Sequence, residues 1–105
     1  MNEPRARITH ELKTWPEFFK QIRNGRKKFE LRRNDRDFKV GDQLLLKEWN
    51  PQMEQKAGGF GPMGYTGREL LVRVDYIMKA ESIFFGGTTL PLAAGYVIMS
   101  VSLVS

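Results

Sequence analysis

The sequence contains no cysteine and a single histidine, and both scarcities exclude whole classes of chemistry. Without cysteine the chain forms no disulfide bond and has no thiol nucleophile. One histidine with no thiolate provides no zinc-ligand spacing, so we predict no metal site, and no motif points to a cofactor. Residues 1–13 lack the apolar segment of a secretory signal, and no apolar run approaches the roughly 18 residues of a membrane span. We therefore expect a cytoplasmic protein that does not bind membranes.

The length of 105 residues suits one domain with a core that needs no covalent cross-link. We predict a single domain over 1–105, interrupted by a glycine-rich loop at 51–67. A loop of this length is uncommon unless it is functional or disordered. It either covers a site, contacts a partner, or is a loose hairpin extension.

Positive charge is concentrated in one part of the sequence. Residues 20–39 contain nine Lys or Arg and three acidic residues, a net charge of +6, whereas the remaining residues together have a net charge of −1. A local basic patch favours polyanions such as nucleic acid, or phosphorylated small molecules. The alternative is a solvated charged face with no partner.

An early strand and helix are the first predicted elements. Alternating residues at 7–13 indicate a strand whose apolar side includes His10, which we expect to be hydrogen-bonded in the core or at a cleft edge. Thr14-Trp-Pro-Glu17 has the spacing of a capping box and predicts a helix over 14–24. Gly25 is expected to end that helix in the left-handed conformation. The apolar face predicted for the helix consists of Trp15, Phe18, Phe19 and Ile22.

Four further strands are predicted at 27–33, 43–49, 68–78 and 95–104. In the strand at 68–78, strict alternation places five apolar residues on one face: Leu70, Val72, Val74, Tyr76 and Met78. The connection at 79–94 contains phenylalanines that we expect to plug the end of the core. Strands at short spacing with one early helix predict an α+β fold. We expect a small curled mixed β-barrel of about five strands, with the helix packed at an opening.

The basic segment contains a short alternating stretch. Alternation groups Lys28, Glu30 and Arg32 on one side of a strand, and Phe29 and Leu31 on the other. We expect the apolar pair to anchor the strand in the core and the charged side chains to be presented together. A carboxylate between cations is either a binding constellation or an ordinary salt-bridge set on an exposed face.

The motif Gly25-Arg-Lys27-x-x-Glu30-x-Arg32 resembles the Gly-x-Lys-x-x-Glu-x-Arg signature of ASCH domains, which belong to the PUA-like superfamily of β-barrels. Its flanks resemble short bacterial and phage ASCH-like proteins. The matching pieces are His10-x-Leu-Lys13 with Trp15-Pro16 and Phe19, Glu30-x-Arg32-x-Asn-Asp-Arg36-x-Phe38, Val40-Gly-Asp42 and Gly95-Tyr-Val-Ile-Met-Ser100. The resemblance implies a cleft between helix and sheet that takes RNA or a nucleotide-like ligand. It also selects Lys27 in place of Lys28 as the partner of Glu30 and Arg32.

The resemblance suggests a role for each signature residue. Arg32 offers a planar fork to a phosphate or a base edge, and Glu30 accepts a hydrogen bond from an exocyclic amine. Lys27 neutralises a phosphate or orients Glu30. We expect Trp15 to pack the helix onto the barrel, whereas Trp49 is a candidate for base stacking. The full set of candidate binding residues is Lys13, Lys27, Lys28, Glu30, Arg32, Arg33, Arg36 and Trp49.

Two other functions stay open. Some ASCH-like proteins are amidohydrolases acting on acylated cytidine, which would make Lys27 and Glu30 catalytic residues acting on a cytidine-like or RNA substrate. In this sequence Glu30 stands where their threonine lies, and no match to their distal glutamate region is evident. The third possibility is a phage-type interaction module that binds a protein partner through the 51–67 loop.

Overall fold

The computed structural model describes residues 6–52, 64–79, 84–85, 88–89 and 95–104. The predicted strands and the early helix are present, with ends that differ from the prediction by a few residues. The elements are β1 (Thr9–Thr14), α1 (Pro16–Arg23), β2 (Phe29–Arg33), β3 (Gln43–Trp49), β4 (Tyr65–Lys79), β5 (Phe84–Phe85), β6 (Thr88–Thr89) and β7 (Tyr96–Leu103).

Five strands form one mixed sheet in the order β1-β3-β4-β7-β2. β1 runs parallel to β3, and the other neighbouring pairs are antiparallel. The sheet curls into a half-barrel with β1 and β2 at its two edges, which confirms the prediction of a small curled mixed sheet with an early helix. β5 and β6 form a separate ribbon within the predicted connection. The predicted plugging role of its phenylalanine side chains lies outside the described residues.

The core occupies one face of the sheet and is closed by α1. In β3 the alternation is regular, so Leu44 and Leu46 are fully buried while Leu45 is half-buried. The buried apolar cluster consists of Leu12, Ile22, Phe38, Leu44, Leu46, Val72, Val74, Val97, Met99 and Val101. Burial of this apolar surface is the main stabilising contribution to the fold.

The start of α1 differs from the prediction. No described side chain caps the helix, whose N-cap residue is Trp15. The expected capping box is wrong because β1 continues through Thr14, whose buried hydroxyl accepts a hydrogen bond from Arg32 instead. Pro16 at the first helical position needs no amide partner, so the helix can begin without a cap. In the described part of the chain, no helix has the length and apolar character needed to cross a membrane.

β4 contains a β-bulge that the alternation did not reveal. Val74 pairs with Val101, but Tyr76 pairs with Ser100, so Asp75 is an extra residue on this strand. An extra residue moves every later side chain to the opposite face of the sheet. Tyr76 is therefore exposed and Ile77 packs against the core, which makes the predicted face wrong beyond Val74.

The end of α1 agrees with the sequence. Gly25 adopts a φ of +77°, and its amide donates to Ile22 O. The amides of Arg26 and Lys27 both donate to Gln21 O, so the chain turns back tightly before β2. This glycine-terminated turn brings Lys27 next to the first residues of the strand.

Candidate functional site

A groove of about 450 Å³ opens between the start of α1 and β2, and we call it the helix groove. Its volume lies in the range of small-molecule binding sites. Its polar lining consists of Lys13, Thr14, Lys27, Glu30 and Arg32, and its apolar lining of Trp15, Phe18, Phe29 and Leu31.

Glu30 is the buried centre of the polar lining. Its side chain is 3% exposed, accepts from Lys27 Nζ at Oε1 (3.1 Å) and from Arg32 Nε at Oε2 (2.8 Å). It points inward because β2 alternates, and it lies opposite the buried Met99 of β7. A buried carboxylate is tolerated only when paired and hydrogen-bonded, and the two cations provide both.

Lys27, and not Lys28, is the lysine that contacts Glu30. Lys27 Nζ also donates to Phe29 O at 2.8 Å and lies 4.7 Å from the centre of the Phe29 ring. The grouping of Lys28 by alternation is wrong because β2 begins at Phe29, so the alternating pattern does not extend back to Lys28. The three signature residues therefore meet as one ion-paired trio.

Arg32 also connects the two edges of the half-barrel. Its Nη2 atom donates to Lys13 O at 2.8 Å and to the Thr14 hydroxyl at 3.3 Å. Arg36 similarly donates from Nη1 to Glu11 O at 2.8 Å. β1 and β2 do not pair with each other in the described sheet, so arginine side chains hold together the seam between these strands.

The rim of the helix groove is aromatic and exposed. The rings of Trp15 and Phe18 stack with centroids 6.4 Å apart and an interplanar angle of 18°. Trp15 is 53% exposed and Phe29 47% exposed, and Leu31 is exposed as well. The expectation that Trp15 packs the helix onto the barrel, and that Phe29 and Leu31 enter the core, is therefore wrong. On edge strand β2 the paired Glu30 takes the inner face, which leaves its apolar neighbours on the outer face.

The remaining predicted residues lie around this groove. Lys13 contacts Arg32 through its carbonyl oxygen, while its ammonium group lies 4.6 Å from the Trp49 ring. Trp49 itself is half-buried and does not line the helix groove. Arg33 lies on the outer face of β2, 5.6 Å from the ring of Tyr96, and Lys28 is exposed.

Three further buried polar residues, His10, Asp42 and Glu48, lie outside the helix groove. His10 Nε2 and Asp42 Oδ2 are 2.9 Å apart, and Asp42 also accepts from the amides of Ile8 and Lys39, which confirms a hydrogen-bonded core histidine. Glu48 is buried and accepts from the Thr66 hydroxyl at 2.6 Å. Sequence reasoning missed Glu48, although it continues the face formed by Leu44 and Leu46. No described group of three or more acidic or histidine residues could hold a metal ion.

A comparison with models of known protein families finds a match over most of the chain. Residues 9–101, from the first residue of β1 into β7, match the family model described as "Domain of unknown function (DUF3850)". The chain belongs to the DUF3850 family. Every residue that lines the helix groove lies within the matched region of this family.

A relative of this DUF3850 domain occurs in a bacteriophage. Over 40 residues the chain is 40% identical to the "Uncharacterized 12.9 kDa protein in GpA 3'region" of Escherichia phage P2. The aligned stretch covers 38% of this chain and 37% of the phage protein, so the similarity concerns little more than a third of either protein.

Proposed function

We propose that this domain binds RNA or a nucleotide, with one base held in the helix groove. The observation that carries the proposal is that exposed aromatic rings and a buried, ion-paired glutamate line the same groove. Base–aromatic stacking contributes about 1–3 kcal/mol per base and tolerates any sequence. Trp15 and Phe29 each present a large exposed ring surface at the mouth of the groove, so a flat base can stack there.

The polar lining of the groove can contact the edge of such a base. Each Glu30 oxygen accepts one hydrogen bond from a cation. A carboxylate offers about four acceptor positions, so each oxygen retains one for an amino group of the ligand. The trio of Lys27, Glu30 and Arg32 carries one net positive charge, which favours a ligand that also contains phosphate.

We also propose that the fold is an ASCH domain of the PUA-like superfamily. The support is that Lys27, Glu30 and Arg32, the residues named by the signature, meet in one groove. The position of that groove, between the helix and the curled sheet, agrees with what the resemblance implies. A superposition of this half-barrel on an experimentally determined ASCH domain, strand by strand, would test the assignment.

Titration of tryptophan fluorescence with RNA hexamers, DNA hexamers and nucleotides, at low and high salt, tests the binding proposal. We expect quenching of Trp15 and an affinity that falls as salt rises, because phosphate contacts release counterions. Because Trp15→Leu removes the reporting tryptophan, both variants are compared with the wild type by the anisotropy of a dye-labelled RNA hexamer. Trp15→Leu should lose most of the affinity, whereas Tyr76→Leu removes an exposed aromatic ring outside the groove and should leave the affinity unchanged. Absence of salt-sensitive binding to all three ligands would reject the proposal.

A second candidate is an amidohydrolase or nuclease acting on a cytidine-like or RNA substrate. The specific observation is the 3.1 Å contact between Lys27 Nζ and Glu30, a distance at which a proton can be exchanged. Incubation with N4-acetylcytidine and with RNA distinguishes this activity from simple binding. Turnover by the wild type that disappears in Lys27→Ala would support catalysis, and absence of turnover would exclude these substrates.

The third function, protein interaction through the 51–67 loop, stays a prediction. Residues 53–63 of that loop lie outside the described residues. Deletion of the loop should abolish a protein pull-down while leaving RNA affinity unchanged if this function is correct.

A further inference from the structure

We infer that the ligand is a single-stranded oligonucleotide of at least two nucleotides, because a second groove is built to bind its phosphates. This inference rests on the proposed function and specifies its ligand class. The second groove has a volume of about 410 Å³, and we call it the seam groove. It is lined by Glu11, Leu12, Lys13, Arg32, Arg36, Lys47 and Tyr65.

The two grooves adjoin. Lys13 and Arg32 line both of them, and the Arg32 guanidinium donates to Lys13 O across the seam. A strand whose base occupies the helix groove would therefore pass Arg32 and continue into the seam groove. A single nucleotide has no second nucleotide to place there.

The lining of the seam groove is strongly cationic. Four basic side chains (Lys13, Arg32, Arg36 and Lys47) oppose one carboxylate, that of Glu11. Lys47 Nζ lies 3.9 Å from both Glu11 and Glu69, and those carboxylates are exposed, so these ion pairs are loose. Exposed pairs of this kind contribute little and release their cation easily.

Aromatic rings contact the ammonium groups of Lys13 and Lys47 without neutralising their charge. Lys47 Nζ lies 4.9 Å and Lys13 Nζ 6.0 Å from the centre of the Tyr65 ring, so the ammonium groups converge on one ring. A cation–π contact orients an ammonium group but leaves its positive charge available. Arg36 makes one hydrogen bond to the described residues, to Glu11 O, and its remaining N–H groups can bind phosphate.

The two grooves therefore differ in chemistry. The helix groove has an aromatic rim, and two of its cations, Lys27 and Arg32, are paired with Glu30. The seam groove shares Arg32, but its other cations (Lys13, Arg36 and Lys47) make no ion pair shorter than 3.9 Å with the described residues. Bases suit the first lining and the phosphodiester backbone suits the second.

The experiment compares a mononucleotide, a dinucleotide and a hexanucleotide RNA of the same base, over a range of salt concentrations. Arg36→Gln and Lys47→Gln each remove one cation from the seam groove and none from the helix groove. Lys39→Gln is the matched control, since this exposed lysine pairs with Asp37 outside both grooves. Thermal melting of each variant checks that it is folded.

Wild-type affinity should rise from the mononucleotide to the longer ligands. The log of the affinity falls as the log of the salt concentration rises, and each seam variant should make this fall less steep by about 0.7, the value for one contact to a single strand. If the variant and the wild type bind the hexanucleotide equally at 1 M salt, the variant should bind it about fivefold more weakly at 0.1 M salt. Mononucleotide affinity should stay unchanged in both variants, and Lys39→Gln should match the wild type throughout.

Several results would overturn the inference. If the hexanucleotide binds no tighter than the mononucleotide, or if both seam variants behave like Lys39→Gln, the seam groove does not bind phosphate, although base binding in the helix groove would stand. If Arg36→Gln weakens mononucleotide binding as well and Lys47→Gln has no effect, Arg36 acts by holding the seam and the inference fails. If no RNA ligand binds at all, both this inference and the proposed function are rejected.

Discussion

Replacement of Glu30 tests whether the ion-paired trio of Lys27, Glu30 and Arg32 stabilises the fold in addition to its proposed role in ligand binding. The carboxylate is 3% exposed, whereas the side chains of its partners Lys27 and Arg32 are 18% and 26% exposed. Removal of one member of a fully buried ion pair costs about 3–5 kcal/mol, since it leaves an uncompensated charge. Because both cations retain some contact with water, we expect Glu30→Ala to lower the free energy of unfolding by about 2–4 kcal/mol.

The assay is urea unfolding followed by circular dichroism. A loss of about 3 kcal/mol with a slope of about 2 kcal/mol per M lowers the midpoint by about 1.5 M urea. Glu30→Gln keeps the shape but loses the charge, so it should also be destabilised, and by less than the alanine variant. Glu11→Gln is the control, because this exposed carboxylate makes only a loose ion pair and its loss should change stability by less than about 0.5 kcal/mol.

If the stability of Glu30→Ala lies within about 0.5 kcal/mol of the wild type, Glu30 does not stabilise the fold, because such a small change is typical of an ordinary surface position. The trio would then be a weak salt-bridge set, as one of the two sequence-based alternatives held. A large loss of stability would also mean that loss of ligand binding in Glu30 variants cannot identify a ligand contact, so exposed rim residues are the better probes.

Three further predictions concern other parts of the fold. Gly64→Ala should destabilise the domain by about 2 kcal/mol or more, because the residue has a φ of +95° and the new Cβ would lie 2.6 Å from Trp49 Nε1. The measurement is the melting temperature, which should fall. An unchanged melting temperature would contradict the close packing. Asp42→Ala should cost about 2–4 kcal/mol in urea unfolding, since it leaves the buried His10 ring and two backbone amides without their acceptor, and a neutral result would show that water replaces the carboxylate. Phe29→Ala should change the free energy of unfolding by less than about 1 kcal/mol, because the ring is exposed. It should nevertheless reduce RNA affinity about fivefold or more, the equivalent of about 1 kcal/mol of stacking. If the affinity is unchanged, Phe29 does not contact the ligand.

Local sequence patterns predicted the helix and the strands. The predictions failed mainly at residues whose position depends on how strands pair. The positions of β3 and β7 and the turn at Gly25 follow from side-chain alternation and from glycine's access to positive φ. The bulge at Asp75 was not predictable in this way, because the extra residue is defined by pairing with β7, far along the chain. Thr14 was misassigned for a similar reason: its role depends on how far β1 extends beside β3.

The order of the elements, the local basic charge and the spacing of Lys27, Glu30 and Arg32 can all be read from the sequence. Which side of β2 is buried depends on the tertiary structure, because alternation separates two faces but does not say which of them meets the core. The structure placed Glu30 inside and Phe29 outside, since two cations compensate the buried carboxylate. The seam, too, exists only in three dimensions, where the curl of the sheet brings β1 and β2 within reach of the arginine side chains.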